Sequence, residues 1–369
     1  MKNQCIFISA GDLSGDNAGA LLMSELKNLN PELNFCGLGG SRMNRLGQKQ
    51  LEEIDNLAVM GFFEVAKRYR FFRRLFSDCI EEIKQKRPAV VVLIDYPGFN
   101  LRLAKKIKPL GIPVIYYISP QLWAWGEKRV DIIRNNIERM LVILPFEKEF
   151  YEKHDIESDF VGHYLLEDIN EKMISSEVPS AGHIAVFPGS REVEIKKLLS
   201  PMIATASRFN QMYGTKAVVA GINGAFDYES VLKQYPDSNI EIVYDDARKI
   251  IYESRLVLTK SGTTTLEAAI IGRPLVVAYK TGLITYLIAK NLVKLNNIAM
   301  VNLIMNEKVV PELIQAEATE ERMFLELEKL YNNESHFNFI KSKLDSLPSV
   351  LGGRGASQRA AKIIGEYLQ

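Results

Sequence analysis

The chain has 369 residues, 47% hydrophobic and 25% charged, with a net charge of +1. That length suits two domains with sizeable cores, and the near-neutral balance excludes a protein that grips nucleic acid through a global basic field. The three cysteines and four histidines lack metal-ligand spacing, so no metal site is expected, and Cys5 and Cys36, in apolar strand-like runs, read as reduced core residues.

Residues 1–9 run straight into a strand pattern without the apolar core of a signal peptide. No uncharged apolar run reaches the ~18 residues of a spanning helix. A cytoplasmic protein is expected, free to lie on a membrane surface. The first strand, residues 5–9, leads into Gly11-Asp-Leu-Ser-Gly-Asp16 and a helix through Leu21, Leu22 and Leu26. A glycine turn between a first strand and a first helix faces ligand in an open α/β sheet. This one lacks the G-x-G-x-x-G fingerprint, and Asp12 and Asp16 would repel a pyrophosphate, which disfavours a nicotinamide dinucleotide. Carboxylates there, with Ser14 and Gly15 between them, suit sugar hydroxyls.

Residues 34–40 read as a second strand. In residues 60–76 the aromatics Phe62, Phe63, Tyr69, Phe72 and Phe76 interleave with Arg73 and other bases at helical spacing. Either a core-facing helix with a basic back or an interfacial helix among anionic headgroups fits, and the density of Phe and Arg favours the second. Residues 88–95 form an almost wholly apolar run, the pattern of a central parallel strand. It ends in Asp95-Tyr-Pro-Gly-Phe-Asn100. An acid at that place, partly desolvated, suits a general base. Further strands are expected at 111–119, 139–144 and 159–161, with both tryptophans in the loop 120–125.

Residues 166–180 are charged and aperiodic and read as a linker. A second α/β unit opens at His183. Gly189 permits close backbone approach, the helix start after Ser190 offers amides, and Arg191 can hold a diphosphate bidentately. Strands follow at 217–220, 240–243 and 256–258. Ser261, Gly262, Thr263 and Thr264 then make a second small-residue turn at a helix start, and Glu267, one turn in, can accept from the vicinal hydroxyls of a ribose. An amphipathic stretch at 284–295 and helices at 317–330, 336–344 and 357–368 complete the chain.

Several of these stretches together resemble the lipid-A-disaccharide synthases. They are Gly11-Asp-Leu-Ser-Gly-Asp16, Asp95-Tyr-Pro-Gly-Phe-Asn100, the Trp123-Ala-Trp125 loop, Phe187-Pro-Gly-Ser-Arg191 and Lys260-Ser-Gly-Thr-Thr-Thr-Leu-Glu267. The resemblance spans nearly the whole chain. It implies an α/β fold of the GT-B type, two doubly wound parallel-sheet domains facing a cleft, with a C-terminal helix crossing back to the first. The expected division is an acceptor domain at 1–165, a linker at 166–182, a UDP-sugar domain at 183–350 and the returning helix at 351–369.

The implied reaction joins UDP-2,3-diacylglucosamine to 2,3-diacylglucosamine 1-phosphate through a β-1,6 link, releasing UDP, with the UDP-sugar as substrate and no cofactor. Asp95 would be the base, Asp12, Ser14, Gly15 and Asp16 would meet the acceptor, and Asn302 would join Gly189, Ser190, Arg191, Ser261, Gly262, Thr263, Thr264 and Glu267 around the donor. Phe62, Phe63, Tyr69, Phe72, Arg73 and Phe76 would contact the cytoplasmic face of the inner membrane. No nucleic acid is expected, and a homodimer stays open. Two positions depart from the family pattern. Asp12 stands where glutamate is frequent, and Gly98 where a second aspartate is. The rival readings are another UDP-sugar enzyme of this fold, including a UDP-N-acetylglucosamine epimerase, and a non-catalytic sugar-nucleotide-binding protein.

Overall fold

The computed structural model describes residues 4–54, 57, 68–224, 226–244, 246–282 and 297–368. The chain divides into two compact units, Met1–Asp168 with Leu351–Gln369, and Ile169–Val350. Phe62 and Phe63, and the amphipathic stretch expected at 284–295, lie outside the described residues.

In the first unit the strands are β1 (Cys5–Ser9), β2 (Asn34–Gly39), β3 (Gln48–Glu53), β4 (Val90–Ile94), β5 (Val114–Tyr117), β6 (Arg139–Val142) and β7 (Ser158–Phe160). They pair in the order β3-β2-β1-β4-β5-β6-β7, parallel throughout. Every residue of β4 and β5 is buried, because helices cover both faces of a parallel sheet. The edge strand β3, Gln-Lys-Gln-Leu-Glu-Glu, was not expected from the sequence. An edge strand needs little apolar character, since one side of it meets water. The thiols of Cys5 and Cys36 touch across β1 and β2 at 3.6 Å, unbridged.

The second unit repeats the plan with β8 (His183–Phe187), β9 (Ala217–Ala220), β10 (Ile240–Val243), β11 (Ser254–Lys260), β12 (Leu275–Tyr279) and β13 (Glu312–Ile314). Their order is β10-β9-β8-β11-β12-β13, again parallel. Arg273, wholly buried, ties the incoming segment to this unit, donating to Ser176 O at 3.0 Å, Ser176 Oγ at 2.9 Å and Tyr252 O at 2.7 Å.

The aromatic–basic stretch continues as the helix Tyr69–Lys86, which stops at Arg87 in a left-handed conformation just before Pro88. The last helix, Ala356–Gly365, belongs to the first unit, as the resemblance implies. It packs on the helix Leu13–Leu29, its Ser357 N–H donates to Glu167 Oε1 at 3.0 Å, and Arg359 Nε donates to Val161 O at 2.8 Å. No described helix is long and apolar enough to cross a membrane.

Candidate active site

In a doubly wound sheet the two strands at which the order reverses send their following turns to opposite faces, leaving a crevice at their carboxyl ends. In the first unit those strands are β1 and β4. The turn after β1 reaches Asp12, whose Oδ1 accepts from Gly15 N at 2.7 Å and so caps the next helix. The turn after β4 holds Asp95 and Tyr96 at φ of 41° and 50°. Side-chain-bearing residues keep such angles only where their surroundings impose them. Here the Asp95 carbonyl accepts from Asn100 Nδ2 at 2.8 Å and from the Tyr116 hydroxyl at 2.6 Å. Asn100 is fully buried, donates also to Ile94 O at 3.1 Å, and receives Ser9 Oγ at 2.7 Å, which bolts the ends of β1 and β4 together. The Tyr96 ring lies against Gly11, where a Cβ would fall 2.3 Å from it, so glycine alone lets the two turns meet.

The Asp95 carboxyl is pushed up from 3.8 to about 7, first by burial and second by the charge of Asp12. A carboxylate with that affinity for protons can take one from an alcohol near neutral pH, the property asked of a general base. Asn100 and Tyr116, which hold it there, were not singled out in the sequence. The signal available was the Asn in Asp95-Tyr-Pro-Gly-Phe-Asn100, whose reach across to β1 no spacing reveals.

The Asp16 carboxylate is buried and accepts from the amides of Gly40 at 2.8 Å, Arg42 at 3.0 Å and Met43 at 3.0 Å, so it organises the turn after β2. Gly15 is buried and its amide is spent on Asp12, whereas Ser14 is half-buried in the first helical turn. The tryptophan loop is anchored from below. Glu147, buried and pushed up to about 7 by that burial, accepts from Trp123 Nε1 at 3.1 Å and Leu144 N at 3.0 Å. Tyr69 and Arg73 are exposed, but Phe72 and Phe76 turn inward against the core.

In the second unit the order reverses between β8 and β11, and the turns after them carry the expected residues. Gly189 takes φ of 131°, a value glycine accommodates. Ser190 and Arg191 precede the helix Glu192–Tyr213. Gly262 caps the helix Thr263–Ile271, so no cap side chain covers its first amides, while Ser261 Oγ donates to Ile298 O at 3.2 Å.

Two residues missed in the sequence join these turns. Glu194 folds back so that Oε2 accepts from Ser190 N at 3.3 Å, and Oε1 meets Arg191 Nη1 at 3.3 Å and Lys260 Nζ at 2.9 Å. One carboxylate thus sits amid an amide and two cations, an arrangement that accepts an anion. Glu267 is not solitary either, since Arg248 Nε lies 2.9 Å from its Oε1. Asn302 is fully buried, donating to Val310 O at 2.9 Å and Glu312 Oε1 at 2.7 Å and accepting from Val310 N at 2.9 Å, so its amide orders a loop.

Solved structures with this architecture include the glycotransferase of kitacinnamycin, at a TM-score of 0.66 and 15% identity over 99% of both chains. A UDP-GlcNAc 2-epimerase from Neisseria meningitidis is similar too, at a TM-score of 0.64 and 11% identity over 98% of this chain and 99% of that one. Such identities define a class by fold alone, the GT-B glycosyltransferases and the epimerases that share their architecture. The family follows from sequence. A family model described as lipid-A-disaccharide synthetase matches residues 6–363. A lipid-A-disaccharide synthase from Coxiella burnetii is 35% identical over 99% of this chain and 98% of its own length. The chain belongs to the lipid-A-disaccharide synthetase family.

The Asp95 carboxyl makes a stability prediction whose sign is fixed. Its folded value, about 7, exceeds its ordinary 3.8, so the folded state binds the proton more tightly and loses stability as pH rises from about 4 to 7. Asp95→Asn should therefore raise stability by about 1–3 kcal/mol at pH 8 and by little at pH 4. Urea denaturation at both values checks this; equal gains at the two would mean the carboxyl is not strained by ionisation.

Proposed function

We propose that this chain is an inverting glycosyltransferase that joins UDP-2,3-diacylglucosamine to 2,3-diacylglucosamine 1-phosphate, making the β-1,6-linked lipid A disaccharide and UDP. Family membership over nearly the full length supports the reaction. The observation that carries the mechanism is Asp95, a carboxyl tuned to about 7 at the reversal of the first sheet. Asp95 takes the proton of the acceptor's 6-hydroxyl while that oxygen attacks the donor's anomeric carbon. The new C–O bond forms on the face opposite the leaving group, UDP departs with the electron pair of the broken bond, and α becomes β. Asp12 and Ser14 meet the acceptor sugar.

The turns of the second unit hold UDP. Arg191 and the amides beginning at Ser190, with those at Thr263 and Thr264, meet the diphosphate, whose charge grows as the bond breaks. Lys260 joins them, and Glu194 yields its place to the incoming phosphates. Glu267, oriented by Arg248, accepts from the ribose hydroxyls. The substrates' acyl chains keep them at a bilayer, and the exposed start of the helix at Tyr69, with Arg70, Arg73 and Arg74 turned to water, suits an anionic inner-membrane surface.

Incubation with both diacylated substrates should give UDP and disaccharide in equal amounts. The rate should fall below about pH 7 as Asp95 takes up its proton. Asp95→Asn should keep UDP affinity and lose at least ~100-fold in turnover; near-normal turnover would remove Asp95 as the base. Lys260→Ala should weaken UDP binding about 10-fold or more, and Glu194→Gln should tighten it. Calorimetric affinities unchanged in both variants would take this pair out of the donor site. Flotation with anionic vesicles tests the membrane contact. Tyr69→Ser with Arg70→Glu should lower the bound fraction several-fold, and an unaltered fraction would refute it.

A further inference from the structure

All three cysteines lie in the first unit, and two of them touch. Cys5 opens β1 and Cys36 stands within β2, with their sulfurs 3.6 Å apart and no bond between them. Both side chains share one face of the sheet, because Cys36 stands opposite Phe7 and residues two apart along a strand point the same way. The helix Tyr69–Lys86 packs on that face through Leu75, Cys79 and Ile83. Cys36 and Cys79 are buried in this packing, while Cys5, at the amino end of the sheet, is only half-buried. A reagent in water can therefore reach one sulfur of the three.

The contact assigns roles to the pair. One sulfur donates to the other, and negative charge settles on the one that water and cations reach better. That is Cys5, so Cys36 is the donor. Among the charged groups around Cys5, Lys86 on the helix and Lys49 on β3 favour a thiolate, and Glu82, paired with Lys86 at 2.7 Å, opposes it. Donation from Cys36 is the largest influence and carries the Cys5 thiol below its usual range against the effect of burial, whereas burial pushes Cys79 up to about 12. The thiolate is the nucleophilic form, so the reachable sulfur is also the reactive one.

The register keeps the pair from closing on itself. Cys5 is level with Asn34, two residues before Cys36. Strands ~4.8 Å apart with a rise of ~3.3 Å per residue put the two Cα atoms roughly 8 Å apart. A disulfide spans no more than ~7 Å without backbone movement. On its other side β1 is held by its ladder to β4, which resists such a shift.

We propose that Cys5 is a modification site for small disulfides, at which Cys36 supports the Cys5 thiolate and does not resolve the adduct. The thiolate attacks one sulfur of the small disulfide. A bond between Cys5 and that sulfur forms as the original S–S bond breaks, and the other half leaves as a thiolate that takes up a proton. The Cys5 sulfur is oxidised and the departing half is reduced, so the exchange needs no further reactant. The site lies at the opposite end of β1 from the Asp12 turn, and its test is independent of glycosyl transfer.

The native full chain is treated with oxidised glutathione and with dithiobis(nitrobenzoate) across a pH series, adducts being placed by peptide mass spectrometry and rates read from the released thiolate. The adduct should fall on Cys5 alone, and Cys5→Ser should take none. The midpoint of the pH–rate profile should lie at least about one unit below that of the unfolded chain. Cys36→Ala, which removes the donor, should raise the midpoint by about a unit or more, and Cys36→Ser, which keeps a donor, should restore it. Lys86→Met, which leaves the buried packing untouched, should raise it by less. A midpoint that neither Cys36→Ala nor Lys86→Met moves would overturn the proposal. So would an adduct on Cys36 or Cys79 in the folded chain, an internal Cys5–Cys36 disulfide, or wild-type protein that takes no adduct.

Discussion

The structure depends on one topological constraint, met twice. In each parallel sheet the strand order reverses once, between β1 and β4 and between β8 and β11. Right-handed crossovers then send the helices after those strands to opposite faces, and the backbone at the strand ends is left uncovered. All four candidate turns, at Asp12, Asp95, Ser190 and Ser261, follow these four strands. A parallel sheet must be buried on both faces, so its ends are the places where polar groups can face a ligand without a cost in the core.

The two reversals carry opposite electrostatics. In the first unit Asp12 and Asp95 share a poorly solvated place, and their mutual repulsion adds to burial in holding a proton on Asp95 to near neutral pH. In the second, Arg191 and Lys260 converge on Glu194, an acid supplied by the protein itself. Proton abstraction needs the first environment. A departing diphosphate needs the second. The first arrangement works against the fold once Asp95 is ionised, and it rests on stiff support. Asn100 and Tyr116 clamp the Asp95 backbone from two directions, and Glu194 reaches across between two strand–helix turns.

Buried polar groups do the positioning elsewhere as well. Asp16, Glu147, Arg273 and Asn302 are each nearly or wholly hidden, and each meets several backbone groups. Removing such a group strands its partners without water, so the loops it holds have few alternatives. For Asp16 and Asn302 the partners are main-chain amides and carbonyls and a glutamate.

The sequence by itself determined the class of the fold and the four turns. Runs such as residues 88–95 are apolar without alternation, which a sheet covered on both sides requires, and glycine with small hydroxyl residues after such runs marks strand–helix turns. It did not disclose β3, whose polar residues belong to an edge, nor that Phe72 and Phe76 turn inward against the core. The tertiary structure alone decided that Lys260 meets Glu194, 66 residues away in the chain, and that Asn100 reaches Ser9, 91 residues away. Local pattern records which face of an element is buried. Which elements become neighbours is set by strand order, and no local pattern carries that.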